Sequence, residues 1–200
     1  MGGSGIVQTA KQKVDKAWTT TKKVVAFMMV WGLIFSLVTI GRLRVAFDYD
    51  DTLVFSTPAF NKAFRSGVQP FSTQFWQTVN SSYDIEKPKL VPYALAWVLR
   101  VCGFHVTIIA ARPSVEGEPL RKEWRHLASQ FVFSETRAAK HSVLKQGNYV
   151  LYFGDSDSDI TEGRLARVFT VRVRRSAQSS YKEDYRPGTL NELVLPLSQY

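Results

Sequence analysis

Residues 45–52, VAFDYDDT, form an apolar run that ends in three carboxylates and a threonine. A short apolar run of this kind predicts a buried β-strand, with the acidic residues at its carboxyl end. Carboxylates this close resist joint ionisation unless a cation or other positive groups lie among them. The stretch therefore predicts a strand that leads into a metal-assisted site.

A second stretch of the same kind lies about a hundred residues downstream. Residues 149–153, YVLYF, are followed by GDSDSDI at 154–160, and Lys140 precedes Gly154 by fourteen residues. In an open parallel sheet, ligands bind beyond the carboxyl ends of the strands, so the two acidic segments are expected to face one crevice. A cluster of oxygen ligands suits a hard cation such as Mg²⁺.

The remaining pattern predicts an α/β fold with a parallel sheet covered by helices on both faces, because strand-like and helix-like stretches alternate. Predicted strands cover 44–47, 105–110, 130–133, 150–153 and 168–173, with an edge strand at 193–197. Predicted helices lie around 88–101, 118–128, 136–146 and 160–166. Residues 53–87 have no clear strand pattern and are rich in Phe, Ser and Trp. They are predicted to form a small cap or specificity segment over the site.

The chain has 45% apolar residues and a net charge of +9, and this charge is unevenly distributed. Residues 1–44 hold seven Lys or Arg and one Asp, a net +6, whereas residues 45–200 hold nineteen against sixteen, a net +3. The basic excess thus belongs mainly to the N-terminal segment, which argues against nucleic acid as a partner. The single cysteine, Cys102, excludes an intrachain disulfide and is expected to be buried.

The N-terminal part predicts a membrane anchor. Residues 1–23 are basic, and 24–40 form an uncharged run of 17 residues with Lys22 and Lys23 before it and Arg42 and Arg44 after it. As a helix the run would span roughly 25 Å, so a single-pass signal anchor at 24–41 is predicted. The positive-inside rule then puts the N-terminus in the cytoplasm and residues 44–200 outside, in a periplasmic or extracytoplasmic location. A cleaved signal peptide, giving a secreted enzyme, and a buried helix of a soluble domain are alternatives.

The two acidic motifs and the lysine together resemble those of the haloacid dehalogenase (HAD) superfamily of phosphohydrolases. Residues 47–60 (FDYDDTLVFSTPAF), 152–161 (YFGDSDSDIT) and 179–182 (SSYK) further resemble the bacterial class B acid phosphatases. The resemblance covers roughly residues 44–200. It implies a HAD-like, Rossmann-type sheet and a phosphomonoester hydrolase.

The resemblance also implies roles for the acidic residues. Asp48 would be the nucleophile that forms an aspartyl-phosphate, and Asp50 would act first as general acid and then as general base. Lys140 would supply fixed positive charge, although Lys145 is a rival for this role. Mg²⁺, the implied cofactor, would be bound by Asp48, the backbone carbonyl of Asp50, Asp155 and Asp159.

Four further residues are expected to contact the substrate. Arg112 follows the second main strand, where it could bind phosphate or the leaving group, or be an ordinary surface arginine. Phe60, Trp76 and Tyr181 match aromatic positions of the family, where a nucleobase or aryl group could stack; plain core packing is the alternative. A nucleoside or aryl monophosphate is therefore the preferred substrate class. Family members tend to be tetramers, so a homo-oligomer is also expected.

One segment departs from the family pattern. The family has Thr-Gly-Arg where this chain has Ala110-Ala111-Arg112. Loss of a hydroxyl bond to a charged phosphate costs roughly 1.5–3 kcal/mol, which predicts a slower enzyme. Two alternatives stay open: a phosphate-binding HAD-like protein with weakened catalysis, and a membrane-proximal phosphatase of lipid or envelope phosphates. Phosphotransfer to an acceptor other than water is a variant of the main prediction.

Overall fold

The structure is a computed structural model that describes residues 3–180 and 184–200. The chain divides into two compact units, Met1–Gly41 and Arg42–Tyr200. The first unit contains helix α1, which runs without interruption over Gly3–Ile40. The second contains the sheet and every residue of the site described below.

The membrane-spanning anchor predicted at 24–41 is not supported. Within the described residues, no helix has a stretch that is both long enough and apolar enough to cross a bilayer. The uncharged run has only 17 residues and includes Gly32, Ser36 and Thr39, which reduce its hydropathy. The predicted location outside the cytoplasm, with secretion as its alternative, remains a prediction.

The second unit is built on a six-stranded sheet. The strands of the chain are, in order, β1 (Arg44–Asp48), β2 (Val54–Phe55), β3 (Lys87–Pro88), β4 (His105–Ala110), β5 (Gln130–Phe133), β6 (Tyr149–Gly154), β7 (Phe169–Arg172) and β8 (Leu193–Val194). The main sheet has the order β5-β4-β1-β6-β7-β8, and all its neighbours are parallel. The five main strands are therefore confirmed, each with ends within one residue of the prediction. The edge strand is shorter than predicted.

In the described part of the second unit, six α-helices accompany the sheet. They are α2 (Thr57–Arg65), α3 (Thr73–Ser81), α4 (Leu90–Val101), α5 (Glu118–Glu123), α6 (Arg137–Gln146) and α7 (Asp157–Leu165). The α5 segment continues as a 3-10 turn over Trp124–His126. Helix α7 begins earlier than the predicted residue 160, because Ser156 caps its N-terminus. Cys102 is exposed at the end of α4, which corrects the expectation that it is buried.

Both faces of the sheet are buried, as the unbroken apolar strands predict. Val45 and Phe47 of β1 point into a core that also contains Ala96 of α4 and Leu120 of α5. Ala46, between them, belongs to a second core on the opposite face, formed with residues of α6 and β6. Because β1 lies in the middle of the sheet with helices on both sides, its carboxyl end is held rigidly.

Residues 53–87 are more regular than the sequence suggested. Helices α2 and α3 pack through a small core of their own, to which Phe60 and Phe75 contribute. A two-stranded antiparallel ribbon, β2 with β3, closes the segment at its base. The segment therefore returns to the sheet beside the point at which it leaves it, next to the end of β1.

Candidate active site

The two acidic segments meet at the carboxyl end of the sheet. Strands β1 and β6 are neighbours, with Phe47 opposite Phe153, so Asp48 at the end of β1 lies beside Asp155 just after β6. One carboxylate oxygen from each of Asp48, Asp155 and Asp159 lies within 4.8 Å of the others, and all three residues are buried. The expected convergence of these segments is confirmed.

Local structure fixes the second segment. Ser156 caps α7 through a reciprocal pair of bonds, in which its Oγ accepts from Asp159 N and its own N–H donates to Asp159 Oδ2, both at 3.1 Å. A Cβ on Gly154 would lie 2.4 Å from Asp159 Cβ, so only glycine fits there. Thr52 Oγ1 donates to Asp155 Oδ1 at 3.1 Å and ties the first motif to the second.

Lys140 lies at the centre of the acidic cluster. From α6 its Nζ donates to Asp48 Oδ1 and to Asp159 Oδ1, both at 2.6 Å. Burial acts to lower the pKa of Lys140, but the charges of Asp159 and Asp48 raise it well above its ordinary value, so the side chain is a cation. Lys145 is exposed on the same helix, so Lys140, and not Lys145, is the lysine beside Asp48.

The three acids differ in pKa. Burial raises the pKa of Asp48 well above its ordinary value despite the charge of Lys140, and burial raises that of Asp155 to about 7 despite Arg175. Burial acts in the same direction on Asp159, but the charge of Lys140 and the hydrogen bonds from Lys140, Tyr152 and Ser156 lower its pKa overall. Asp159 is thus an anion that its hydrogen-bond donors stabilise. The negative charges of Asp48 and Asp155 are not fully balanced by neighbouring cations.

These residues surround a cavity of about 170 Å³. It is lined by Asp48, Asp50, Ala111, Ser134, Glu135, Thr136, Arg137, Lys140, Asp155, Ser156, Ser158, Asp159 and Glu162. All predicted catalytic and metal-binding residues therefore lie on one cavity. Asp50 is not part of the carboxylate cluster through its side chain, and the prediction that its backbone carbonyl binds metal stays a prediction.

Arg112 holds the Asp50 carboxylate. Its Nε donates to Asp50 Oδ2 at 3.0 Å and its Nη2 to Asp50 Oδ1 at 2.5 Å, which is a bidentate pair. Nη2 also donates to Glu86 Oε1 at 2.5 Å, and Tyr49 Oη donates to Glu86 Oε2 at 2.5 Å. This fully buried network determines the direction of the Asp50 side chain.

Arg112 is a buried residue, so the alternative that it is an ordinary surface arginine is wrong. Its side chain is fully buried, lies over the rings of Tyr49 and Phe60, and does not line the cavity. Its Nη1 is buried and has no hydrogen-bond partner within the described ranges. The predicted contact between Arg112 and substrate stays a prediction.

Comparison with known proteins identifies the family to which the chain belongs. The chain is 30% identical to the class B acid phosphatase of Klebsiella pneumoniae in an alignment of 179 positions that covers 80% of this chain and 76% of that protein. It is 32% identical to the class B acid phosphatase of a Marinomonas species in an alignment of 174 positions that covers 78% of this chain and 72% of the relative. The chain belongs to the class B acid phosphatases. It is therefore a phosphoric monoester hydrolase, although no protein-family model matches it.

Solved structures agree on the fold of this class B acid phosphatase. A haloacid dehalogenase-like hydrolase from Streptococcus pneumoniae superposes with a TM-score of 0.53 at 14% identity, covering 78% of this chain and 95% of that one. The protein CbbY from Rhodobacter sphaeroides, solved with phosphate, gives 0.55 at 10% identity, covering 76% and 92%. At these identities the likeness establishes the HAD-type fold alone.

The acids of this class B acid phosphatase fit a divalent cation. Three buried carboxylates offer only oxygen ligands, which hard cations prefer. Lys140 and Arg175 pair with them, leaving one negative charge uncompensated. Both Asp159 oxygens already accept hydrogen bonds, from Lys140, Tyr152 and Ser156. The two Asp155 oxygens also accept, from Thr52 and Arg175, whereas Asp48 is bonded to Lys140 through Oδ1. Asp48 is therefore the most readily available direct ligand.

Two of the three predicted aromatic residues lie together. The rings of Phe60 in α2 and Trp76 in α3 meet edge to face with centroids 5.9 Å apart. Phe60 is buried and Trp76 is half-buried, and neither lines the acidic cavity. Tyr181 lies outside the described residues. Stacking of a substrate on these rings stays a prediction.

Sequence reasoning missed three charged residues near the site. Arg175 pairs with Asp155, while the buried Lys89 donates from Nζ to the carbonyls of Asp51 and Arg174 at 2.7 and 2.6 Å. Glu86 completes the Arg112 network. Arg175 had a signal, since it follows the carboxyl end of a parallel strand, where ligands bind. Lys89 and Glu86 had none, because they flank a two-residue strand.

The pKa of Glu86 provides a test of the buried network. Burial raises it from 4.5 to about 7 despite the charge of Arg112. Between pH 4.5 and about pH 7, Glu86 is protonated in the folded protein but ionised in the unfolded chain. The stabilisation is therefore present at low pH and is lost as the pH rises towards 7, at roughly 1 kcal/mol per pH unit. In the presence of a metal chelator, the free energy of unfolding should fall more steeply between about pH 5 and pH 7 in the wild type than in Glu86→Gln.

Chemical denaturation at several pH values measures both slopes. Glu86→Gln is a suitable comparison because its amide oxygen can accept from Arg112 and its amide nitrogen can donate to Tyr49 Oη, but the side chain cannot titrate. Parallel pH profiles for the two proteins would show that Glu86 does not exchange a proton in this range.

Proposed function

We propose that this class B acid phosphatase hydrolyses small phosphomonoesters through an aspartyl-phosphate on Asp48, with Mg²⁺ as cofactor. The observation that carries the proposal is the position of the Asp48 carboxylate. It lies at a rigid strand end, beside Lys140 and opposite Asp155, on a cavity that Asp50 also lines. A buried nucleophile with fixed positive charge beside it is what phosphoryl transfer requires.

In the first step, Asp48 attacks phosphorus and the ester oxygen leaves. Asp48 Oδ1 is bonded to Lys140, which leaves Oδ2 for the attack. Asp50, two residues further along, donates a proton to the leaving oxygen. The bidentate hold of Arg112 on Asp50 keeps the acid in one orientation, so little freedom is lost as the transition state forms.

In the second step, Asp50, now ionised, removes a proton from a water molecule that attacks phosphorus, the bond from Asp48 to phosphorus breaks, and inorganic phosphate is released. One carboxyl group thus serves as acid and then as base. Lys140 keeps its charge throughout and lies between Asp48 and Asp159. An alcohol that takes the place of water would make the reaction a phosphotransfer.

Asp48, Asp155 and the backbone carbonyl of Asp50 would hold the cation, with Asp159 directly or through water. When bound, a divalent cation offsets the repulsion between these carboxylates and an anionic phosphate. The choice of Mg²⁺ rests on the oxygen-only donor set.

A nucleoside or aryl monophosphate is the proposed substrate class. The aromatic cluster of α2 and α3 supports it, because Phe60 also contacts Arg112, which reaches Asp50. A leaving group that extends beyond the acidic cavity towards this cluster would stack on the half-buried Trp76.

Removal of metal tests the proposal. The protein should release p-nitrophenol from p-nitrophenyl phosphate with Mg²⁺ present, and excess EDTA should lower the rate by roughly a hundredfold or more, since the cation supplies several kcal/mol. Added Mg²⁺ should restore the rate, and Ca²⁺ serves as the control cation. Phosphate binding without any turnover would favour the weakened phosphate-binding protein. Faster turnover of phosphatidate than of nucleotides would favour a lipid phosphatase.

A further inference from the structure

Ser134 lies on the cavity, at a position that sequence analysis did not single out. It directly follows β5, whose last residue, Phe133, pairs with Ala110 at the end of β4. The side chain is buried and shares the cavity with Asp48, Asp50 and Lys140. A polar group thus reaches the reaction centre from a strand that carries none of the acidic motifs.

The hydroxyl of Ser134 is weakly engaged. Its backbone N–H donates to Ala110 O at 2.8 Å, and its Oγ donates to the same oxygen at 3.3 Å. Ordinary O–H···O bonds are about 2.7–2.8 Å long. Within the part of the chain that the structure describes, this long bond is the one hydrogen bond of the Ser134 hydroxyl. The carbonyl is already satisfied by the shorter backbone bond, so the hydroxyl can be released to a ligand at little cost.

Other donors on the cavity hold the framework together. Lys140 is shared between two carboxylates at 2.6 Å, and Ser156 Oγ donates to Asp159 Oδ2 at 2.8 Å. Thr136 caps α6 by accepting from Ala139 N and is exposed. Ser134 differs from all three because it is a buried donor that supports no other part of the site.

We infer that Ser134 Oγ donates a hydrogen bond to a phosphoryl oxygen of the bound substrate, which makes Ser134 a catalytic residue. This inference rests on the proposed function and deepens it. At the adjacent strand end, Ala110 packs in the core and only Ala111 lies on the cavity, so no hydroxyl from that strand end competes for the oxygen. A hydroxyl from β5 therefore meets the phosphate where β4 provides none.

Ser134→Ala tests the inference. The value of kcat/KM for p-nitrophenyl phosphate should fall roughly 10- to 100-fold, as expected for a lost hydrogen bond to a charged group. Calorimetric titration with inorganic phosphate in Mg²⁺ should show weaker binding. The matched control is Ser129→Ala, at the opposite end of the same strand, where the exposed hydroxyl accepts from Arg100 Nη1 at 2.8 Å. It should leave both values unchanged.

Two further variants separate a substrate contact from a structural role. Ser134→Thr keeps a hydroxyl and should retain activity. Ala111→Ser, added to Ser134→Ala, brings a hydroxyl to the cavity wall at the neighbouring strand end and should recover part of the lost rate. The inference is overturned if Ser134→Ala matches the wild type in turnover and phosphate binding. It is also overturned if Ser134→Ala lowers both the rate and the melting temperature and Ala111→Ser does not recover the rate. A wild type without turnover would instead contradict the proposed function.

Discussion

Replacing Asp48 by asparagine is expected to abolish turnover of p-nitrophenyl phosphate, with a loss of roughly 10⁴-fold or more, as when other enzymes lose a covalent nucleophile. Asparagine keeps the shape of the side chain and an oxygen that can accept from Lys140 Nζ. It removes the charge and the nucleophilic oxygen. Because burial already opposes ionisation of Asp48, the neutral amide should be tolerated in the fold.

Steady-state kinetics and a melting curve on each protein test this expectation. Asp157→Asn is the matched control. Asp157 opens α7 close to the same cluster, pairs with Arg172 and Arg186, and does not line the cavity. Its loss should lower the melting temperature and leave kcat intact. If Asp48→Asn kept a large part of the wild-type rate, Asp48 would not be the nucleophile.

Replacing Lys140 by methionine is the second change with a large expected effect, because it alters both activity and stability. Lys140 Nζ joins Asp48 and Asp159 at 2.6 Å each, with all three side chains buried. Removal of one partner from a buried ion pair leaves the other charge uncompensated and costs about 3–5 kcal/mol. Turnover should also be lost, because fixed positive charge beside the transferred group is a main source of catalysis in phosphoryl transfer.

Urea denaturation at neutral pH, together with initial rates, measures both effects. Lys145→Met serves as the control because Lys145 is exposed on the same helix α6. It should change the free energy of unfolding by no more than about 0.5 kcal/mol. Equal stability of the Lys140 and Lys145 variants would mean that Lys140 does not compensate the acidic cluster.

Local patterns were enough to predict the sheet and its acidic edge. Strands β1 and β6 are short apolar runs, and each leads directly into its carboxylates. Because both are parallel, the carboxyl ends had to lie on the same edge, and their adjacency brought Asp48 next to Asp155. The choice of Lys140 rested on the resemblance to the family, since the local pattern left Lys145 on the same helix as a rival.

Predictions from the sequence were incomplete, unsupported or wrong where the local sequence pattern was short or unspecific. Helices α2 and α3 have nine residues each and join through a two-residue ribbon, too little for a clear period. The membrane anchor was predicted from an uncharged run of 17 residues, and no helix of the described residues has both the length and the hydropathy of a span. Cys102 was judged by its apolar neighbours, although it lies at the exposed end of α4.

The sequence by itself determined the α/β fold, the order of acidic motifs and lysine, and the family to which the chain belongs. These depend on residues that are close in the chain, where apolar period and motif spacing carry the information. Only the tertiary structure decided that Arg112 pairs with Asp50 and Glu86, and that Ser134 reaches the cavity. Arg112 lies 62 and 26 residues from its partners, and Ser134 lies 24 from Ala110. Contacts of this kind depend on strand order and packing, which no local pattern specifies.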